Sequence, residues 1–126
     1  MFNFKKRKTL YIRLYTNSVL IRDVESKKEI KREAIKPFSN GRLLFADYEQ
    51  GEEFLIQTIK ELFAGEPVFS FNIILQPMEK IEGGLSSVEK RAFIDSMQHI
   101  GGKNIIIYDE TNHLNDGMVL EMVKKS

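Results

Sequence analysis

The apolar residues of this chain change period partway along it, and that change limits the folds open to it. From Thr9 to Tyr15, Leu10, Ile12 and Leu14 alternate with Tyr11, Arg13 and Tyr15, the period-two pattern of a strand with two different faces. Thr16-Asn17-Ser18 predicts a turn, because these side chains bond to nearby backbone. Val19 to Val24 reads as a second strand. The charged turn Glu25-Ser26-Lys27-Lys28 leads to a third, Glu29 to Ile35, which makes a β-meander. Past the loop from Pro37 to Gly41 the period becomes three to four. Leu55, Ile59, Leu62 and Phe63 form one face of a helix, with Gly51 expected at its N-cap, Glu52 and Glu53 at its positive end, and Gly65 and Pro67 ending it.

Period two returns from Val68 to Leu75, through Phe69, Phe71, Ile73 and Leu75. Ser86 and Glu89 form the S-x-x-E capping box of a second helix. Its inward stripe is expected to be Val88, Ala92, Phe93, Met97 and Ile100, and Gly101-Gly102 stops it. Asn104 to Tyr108 carries Ile105-Ile106-Ile107, a run that fits a strand covered on both faces. A last helix, roughly Asp116 to Lys124, is expected to place Met118, Val119 and Met122 inward. The order β-β-β-α-β-α-β-α predicts an α/β domain with a five-stranded mixed sheet of order 3-2-1-4-5 and three helices on its faces.

Composition narrows the function classes. The 126 residues fit one domain with one modest core, and 42% hydrophobic with 29% charged residues is an ordinary globular mixture. Nineteen Lys and Arg against eighteen Asp and Glu leave a formal net charge of +1, which gives no global reason to expect nucleic acid as a partner. No cysteine is present, which removes disulfides, thiolate zinc sites and cysteine nucleophiles and suits a reducing cytoplasm. No apolar run approaches the roughly 20 residues that span a bilayer, and the early charges are unlike a secretory signal.

Three meandering strands followed by helix–strand alternation is the ribonuclease-H-like pattern, on which actin-type ATPases build each half. Local sequences carry the resemblance further. Arg13-Leu14-Tyr15-Thr16-Asn17-Ser18-Val19-Leu20-Ile21 resembles the first phosphate loop of the MreB family of bacterial actin relatives, D-L-G-T-A-N-T-L-I. Ile35-Lys36-Pro37 with Asn40-Gly41, and then Ala46-Asp47-Tyr48-Glu49, are similar to I-R-P-x-x-D-G and A-D-F-E. Glu52-Glu53-Phe54-Leu55 follows as E-E-M-L does, Val88-Glu89-Lys90-Arg91-Ala92 is similar to V-E-R-R-A, and Lys103 to Glu110 resembles the strand that ends in paired glutamates. These pieces run in the family's order through most of residues 9 to 111. The resemblance implies one actin-like subdomain over 9–126, without the second half and its second phosphate loop.

It also implies a degenerate nucleotide site. Arg13 stands where the family has the acid that organises magnesium, and Tyr15 where its glycine admits phosphate; Thr16 and Asn17 complete the loop. A plain hairpin turn accounts for the same residues. Asp109 and Glu110 fall where the family keeps a water-positioning glutamate, and without a nucleotide they read as an exposed strand end or a vestigial acid pair. A ribonuclease-H nuclease needs a carboxylate in its first strand to hold metal, and no acid occurs between Lys8 and Ile21. Gly83-Gly84-Leu85-Ser86-Ser87 could hold an anion at a helix start, but a capping loop explains it better. His99 and His113 sit on different elements and make no metal-ligand pattern.

Residues 1–8 are set apart as an arm: Phe2 and Phe4 are followed by Lys5, Lys6, Arg7 and Lys8. Aromatics beside a cation cluster suit an anionic membrane surface, and MreB relatives can carry a short amphipathic anchor at this end. A solubilising arm explains the same residues. The expectation is therefore a non-catalytic MreB-like domain, cytoplasmic or at the inner face of the membrane. It would need no cofactor or metal and act by binding a protein partner or itself in a cell-shape, cytoskeletal or envelope-assembly system. The alternative is a nucleotide-responsive half-ATPase that completes its site with another chain.

Overall fold

The computed structural model describes residues 7–66, 70–81 and 83–126. Strands β1 (Lys8–Tyr15), β2 (Ser18–Asp23) and β3 (Lys28–Glu33) form the meander, followed by α1 (Tyr48–Leu62), β4 (Phe71–Pro77), α2 (Ser87–His99), β5 (Gly102–Ile107) and α3 (Asp116–Lys125). The five strands make one mixed sheet in the order β3-β2-β1-β4-β5, as the periodicity predicts. Pairing is antiparallel from β1 to β2 and from β2 to β3, and parallel from β1 to β4 and from β4 to β5.

Chain direction explains where the helices sit. β3, β4 and β5 run the same way, and the crossovers through α1 and α2 both progress in one direction along the sheet. Connections of one hand then place both helices on the same face. There Leu10, Ile12, Leu14, Val19, Ile21, Ile73 and Leu75 pack against Leu55, Ile59, Leu62, Phe93 and Met97. The alternate strand residues point the other way. Tyr11 and Ile74 pack with Val119 of α3, joined by the half-buried Ile106, Met122 and Val123.

The turns are made by residues suited to them. Asn17 closes the first hairpin in the left-handed region at φ 51°, which asparagine tolerates well. Its side-chain carbonyl accepts from the amides of Phe38 and Ser39, both at 2.8 Å, and so pins the loop after β3 to this hairpin. At α2, Ser86 Oγ accepts from the Glu89 amide while the Glu89 carboxylate accepts from the Ser86 amide, both at 3.1 Å. This capping box uses the donors that an anion at this helix start would need, as the capping reading requires.

Several expectations are corrected. The N-cap of α1 is Asp47, whose side chain accepts from the Gln50 amide, while Gly51 lies inside the helix and is buried. Its lack of a side chain serves packing: a Cβ there would fall 2.2 Å from Cε1 of Phe45. Val88 and Met118 point outward, at 76% and 46% exposure, because each lies in the first turn of its helix on the solvent side. Ile35 lies beyond β3 and is 99% exposed. The isoleucines of β5 are half-buried, since β5 is an edge strand. Lys8 opens β1 opposite Phe71, so the arm is shorter than 1–8; Phe2, Phe4, Lys5 and Lys6 lie outside the described residues, as do Pro67, Val68 and Phe69.

Candidate functional site

β1, β4 and β5 are parallel, so their C-terminal ends open on one edge of the sheet, the place where open α/β sheets gather ligands and catalytic groups. Arg13, Tyr15 and Thr16 arrive there from β1, Gln76 and Glu79 from β4, and the segment 108–114 from β5. The sheet register sets Arg13 beside Gln76.

Gln76 is fully buried and organises this end of the sheet. Its Nε2 donates to the carbonyls of Glu110 and Asn112, both at 2.8 Å, and its Oε1 accepts from the Tyr11 hydroxyl. The Tyr11 oxygen in turn accepts from the Leu114 amide at 3.1 Å. Gln76 and Tyr11 together thus tie three residues of the loop after β5 to the sheet, and the carboxamide's hydrogen-bonding groups are consumed in doing so. Burial pushes the Tyr11 phenol above its ordinary range, opposed in part by the Leu114 amide, so the hydroxyl keeps the proton it donates.

Arg13 extends from β1 over the Tyr11 ring, 5.6 Å from its centroid. Its Nη1 lies 3.0 Å from Nδ1 of His113. The guanidinium Nε is buried and has no partner among the described residues. The backbone amide of Thr16, at the tip of the first hairpin, donates to the Glu79 carboxylate at 2.6 Å. The Asn17 amide donates to Ser39 Oγ at 3.0 Å. In a working phosphate loop such amides face the anion. In this chain a glutamate and a serine of the same molecule hold them.

Asp109 bridges to Nζ of Lys90 on α2 at 3.2 Å, and the Glu110 side chain is exposed. The structure therefore brings Arg13 to the loop that follows Glu110, but through Gln76 and His113 rather than through the carboxylates. Among the described residues, no group of three or more His, Asp or Glu is placed to hold a metal. The second histidine, His99, lies 3.1 Å from the carboxylate of Glu52, where it links α2 to α1.

No protein-family model matches the chain. A curated relative does: Uncharacterized protein YjaA of Escherichia coli (strain K12) is 31% identical over 128 aligned positions, which cover 92% of this chain and 97% of the relative. The chain belongs to the YjaA family.

Within this YjaA-family chain, the residues that sequence reasoning missed are Gln76, Tyr11, Glu79 and His113. A signal existed for the first: a carboxamide at the end of the apolar run Phe71–Leu75, on the face opposite Ile73 and Leu75, is unusual enough to demand partners. Glu79 and His113 gave none, because their contacts cross 63 and 100 positions of sequence.

Proposed function

We propose that this YjaA-family protein is a non-catalytic domain on the ribonuclease-H-like plan of one actin-like half, acting by protein binding rather than by nucleotide turnover. The sheet order, the strand directions and the two-plus-one distribution of helices support that plan. The observation that carries the functional part is the hydrogen bond from Thr16 N–H to Glu79. A carboxylate of the chain stands where an incoming phosphate would need the donor, and it repels a second anion. Arg13 beside it adds no metal-organising acid, and the loop after β5 is held by Gln76 rather than aimed at a substrate. A binding role in a cell-shape or envelope-assembly system, at the cytoplasmic side, agrees with the resemblance to MreB. Among the described residues no helix is long and apolar enough to cross a membrane.

Calorimetric titration with ATP and magnesium, alongside a phosphate-release assay, tests this reading. No heat of binding and no turnover are expected. Micromolar affinity would overturn it.

One observation favours the second reading, a half-ATPase completed by another chain. The buried Nε of Arg13 keeps a hydrogen that nothing among the described residues accepts, and guanidinium groups bind phosphate well. Under that reading ATP binding appears only with the partner present and is lost in Arg13→Ala.

A further inference from the structure

β3 is the last strand of the sheet, and among the described residues no strand pairs with its outer edge. A hollow of about 440 Å³ runs along Lys28–Arg32, bounded on the helix side by Glu61 and Leu62. The direction of the backbone groups follows from the register. Ala34 N–H donates to the Asn17 carbonyl, and Ser18 faces Glu33. In an antiparallel ladder such bonds alternate along the strand. Arg32, Ile30 and Lys28 therefore spend their N–H and C=O groups on β2, while Glu29, Lys31 and Glu33 aim theirs outward, where the Lys31 carbonyl accepts from Nη1 of Arg32 at 2.8 Å, a bond that pairing would displace.

Free edges of this kind are usually blunted by charge. The charges on β3 are of both signs, however: Lys28-Glu29-Ile30-Lys31-Arg32-Glu33. We propose that β3 pairs antiparallel with β3 of a second copy of this chain, about a two-fold axis through Ile30, to make one continuous sheet across a homodimer. This deepens the binding reading above by naming the occupant of one surface.

Geometry limits the registers, and among those centred on Glu29, Ile30 and Lys31 charge favours Ile30. A two-fold axis perpendicular to the sheet keeps each face on its own side, so facing residues must share a face, and only registers centred on a residue are allowed. Centring on Lys31 sets that lysine against itself and Glu29 against Glu33. Centring on Glu29 sets glutamate against glutamate and Lys27 against Lys31. Centring on Ile30 sets Glu29 against Lys31 twice, and these are the residues whose backbone groups point outward, so each charged pair is also a hydrogen-bonded pair. Ile30 meets its own copy at the closely spaced, non-hydrogen-bonded position.

A like-charged match remains, Lys28 against Arg32, and it too occurs twice. Arg32 is already neutralised by Glu61, with Nη2 2.9 Å from Oε2, so Lys28 of the second copy arrives beside an ion pair rather than a bare cation. A six-residue edge is a small contact, and the dimer is correspondingly weak.

The test is sedimentation equilibrium of the full chain, without nucleotide, across a wide concentration range. The wild type is expected to pass from monomer to dimer with concentration. Glu29→Lys and Lys31→Glu each create two like-charged pairs, because the two-fold axis counts every change twice, and each should weaken dimerisation about tenfold. An equimolar mixture of the two variants restores opposite charges at both sites and should dimerise as the wild type does. A second measurement on the unaltered chain is amide exchange at Glu29, Lys31 and Glu33, which should slow as concentration rises. A wild type that stays monomeric, or a mixture no better than either variant alone, or exchange at those amides independent of concentration, would overturn the proposal. None of these outcomes bears on the ATP titration, so the two readings fail separately.

Discussion

Arg22 of β2 holds Asp116 of α3 through two parallel hydrogen bonds, Nε to Oδ1 at 2.7 Å and Nη2 to Oδ2 at 2.9 Å. The pair fastens the N-terminus of α3, the helix on the less populated face, to the meander. Its hydrogen bonds hold the Asp116 carboxyl below the usual carboxylate value, against a smaller opposing effect of burial. A carboxylate whose folded value is depressed contributes stability above its unfolded value of about 3.9 and loses it as pH falls through the folded value. Asp116→Asn is expected to cost about 1 kcal/mol at neutral pH and to lose less further stability than the wild type below pH ~4. Urea unfolding at a series of pH values checks both parts.

Gln76 supports a second prediction. Removing its carboxamide leaves the Tyr11 hydroxyl and the Glu110 and Asn112 carbonyls without a buried partner, and it opens a cavity. Gln76→Ala should lower stability by about 2–4 kcal/mol. Tyr11→Phe, which removes one hydroxyl from the same network, should cost about 1–2 kcal/mol. If the two losses simply add in the double variant, the hydrogen bond between these side chains carries no coupling.

Gly51→Ala separates helix propensity from packing. Alanine favours a helix interior by about 1 kcal/mol over glycine. The new Cβ would nevertheless lie 2.2 Å from the Phe45 ring, which is buried and packed edge-on against Phe38. Overpacking of this kind costs about 1–3 kcal/mol, so the net expectation is destabilisation. A raised melting temperature would show that Phe45 moves aside freely.

The basic N-terminal segment is expected to give the protein salt-sensitive binding to anionic vesicles, since screening removes such attraction. Co-sedimentation with vesicles rich in anionic lipid should fall as salt rises, and should fall again when Lys5 and Lys6 are changed to Ala. Binding unaffected by either change would dismiss the membrane reading.

The sheet was legible because β1 alternates cleanly, β5 carries a continuous apolar run, and the signals that separate the strands are local. Ser86 and Glu89 announced their helix because a capping box spans four residues. The start of α1 was harder. Asp47 looked like part of a loop motif and Gly51 like the N-cap, and only the position of Phe45 explains a glycine inside the helix. Periodicity told which side of a helix Val88 and Met118 occupy relative to their neighbours, but not how far the sheet beneath extends. At the candidate site, Arg13, Tyr15, Thr16 and Asn17 could be singled out from their order in the chain. What those residues touch could not, because the Thr16 contact to Glu79 and the Arg13 contact to His113 depend on which distant loops the sheet brings to its edge.

The central position of β1 has a consequence for how the protein is made. One neighbour, β2, follows immediately, but the other side of β1 must wait for β4, with Lys8 opposite Phe71 across 63 intervening steps of chain. Closing so long a loop delays the pairing. At a synthesis rate of about 5–20 residues per second, the meander emerges several seconds before the strand that completes it. During that interval Leu10, Ile12 and Leu14 lack half their partners, on an open strand edge. The nascent chain is most exposed to misassembly in that window, and slow elongation between α1 and β4 would prolong it.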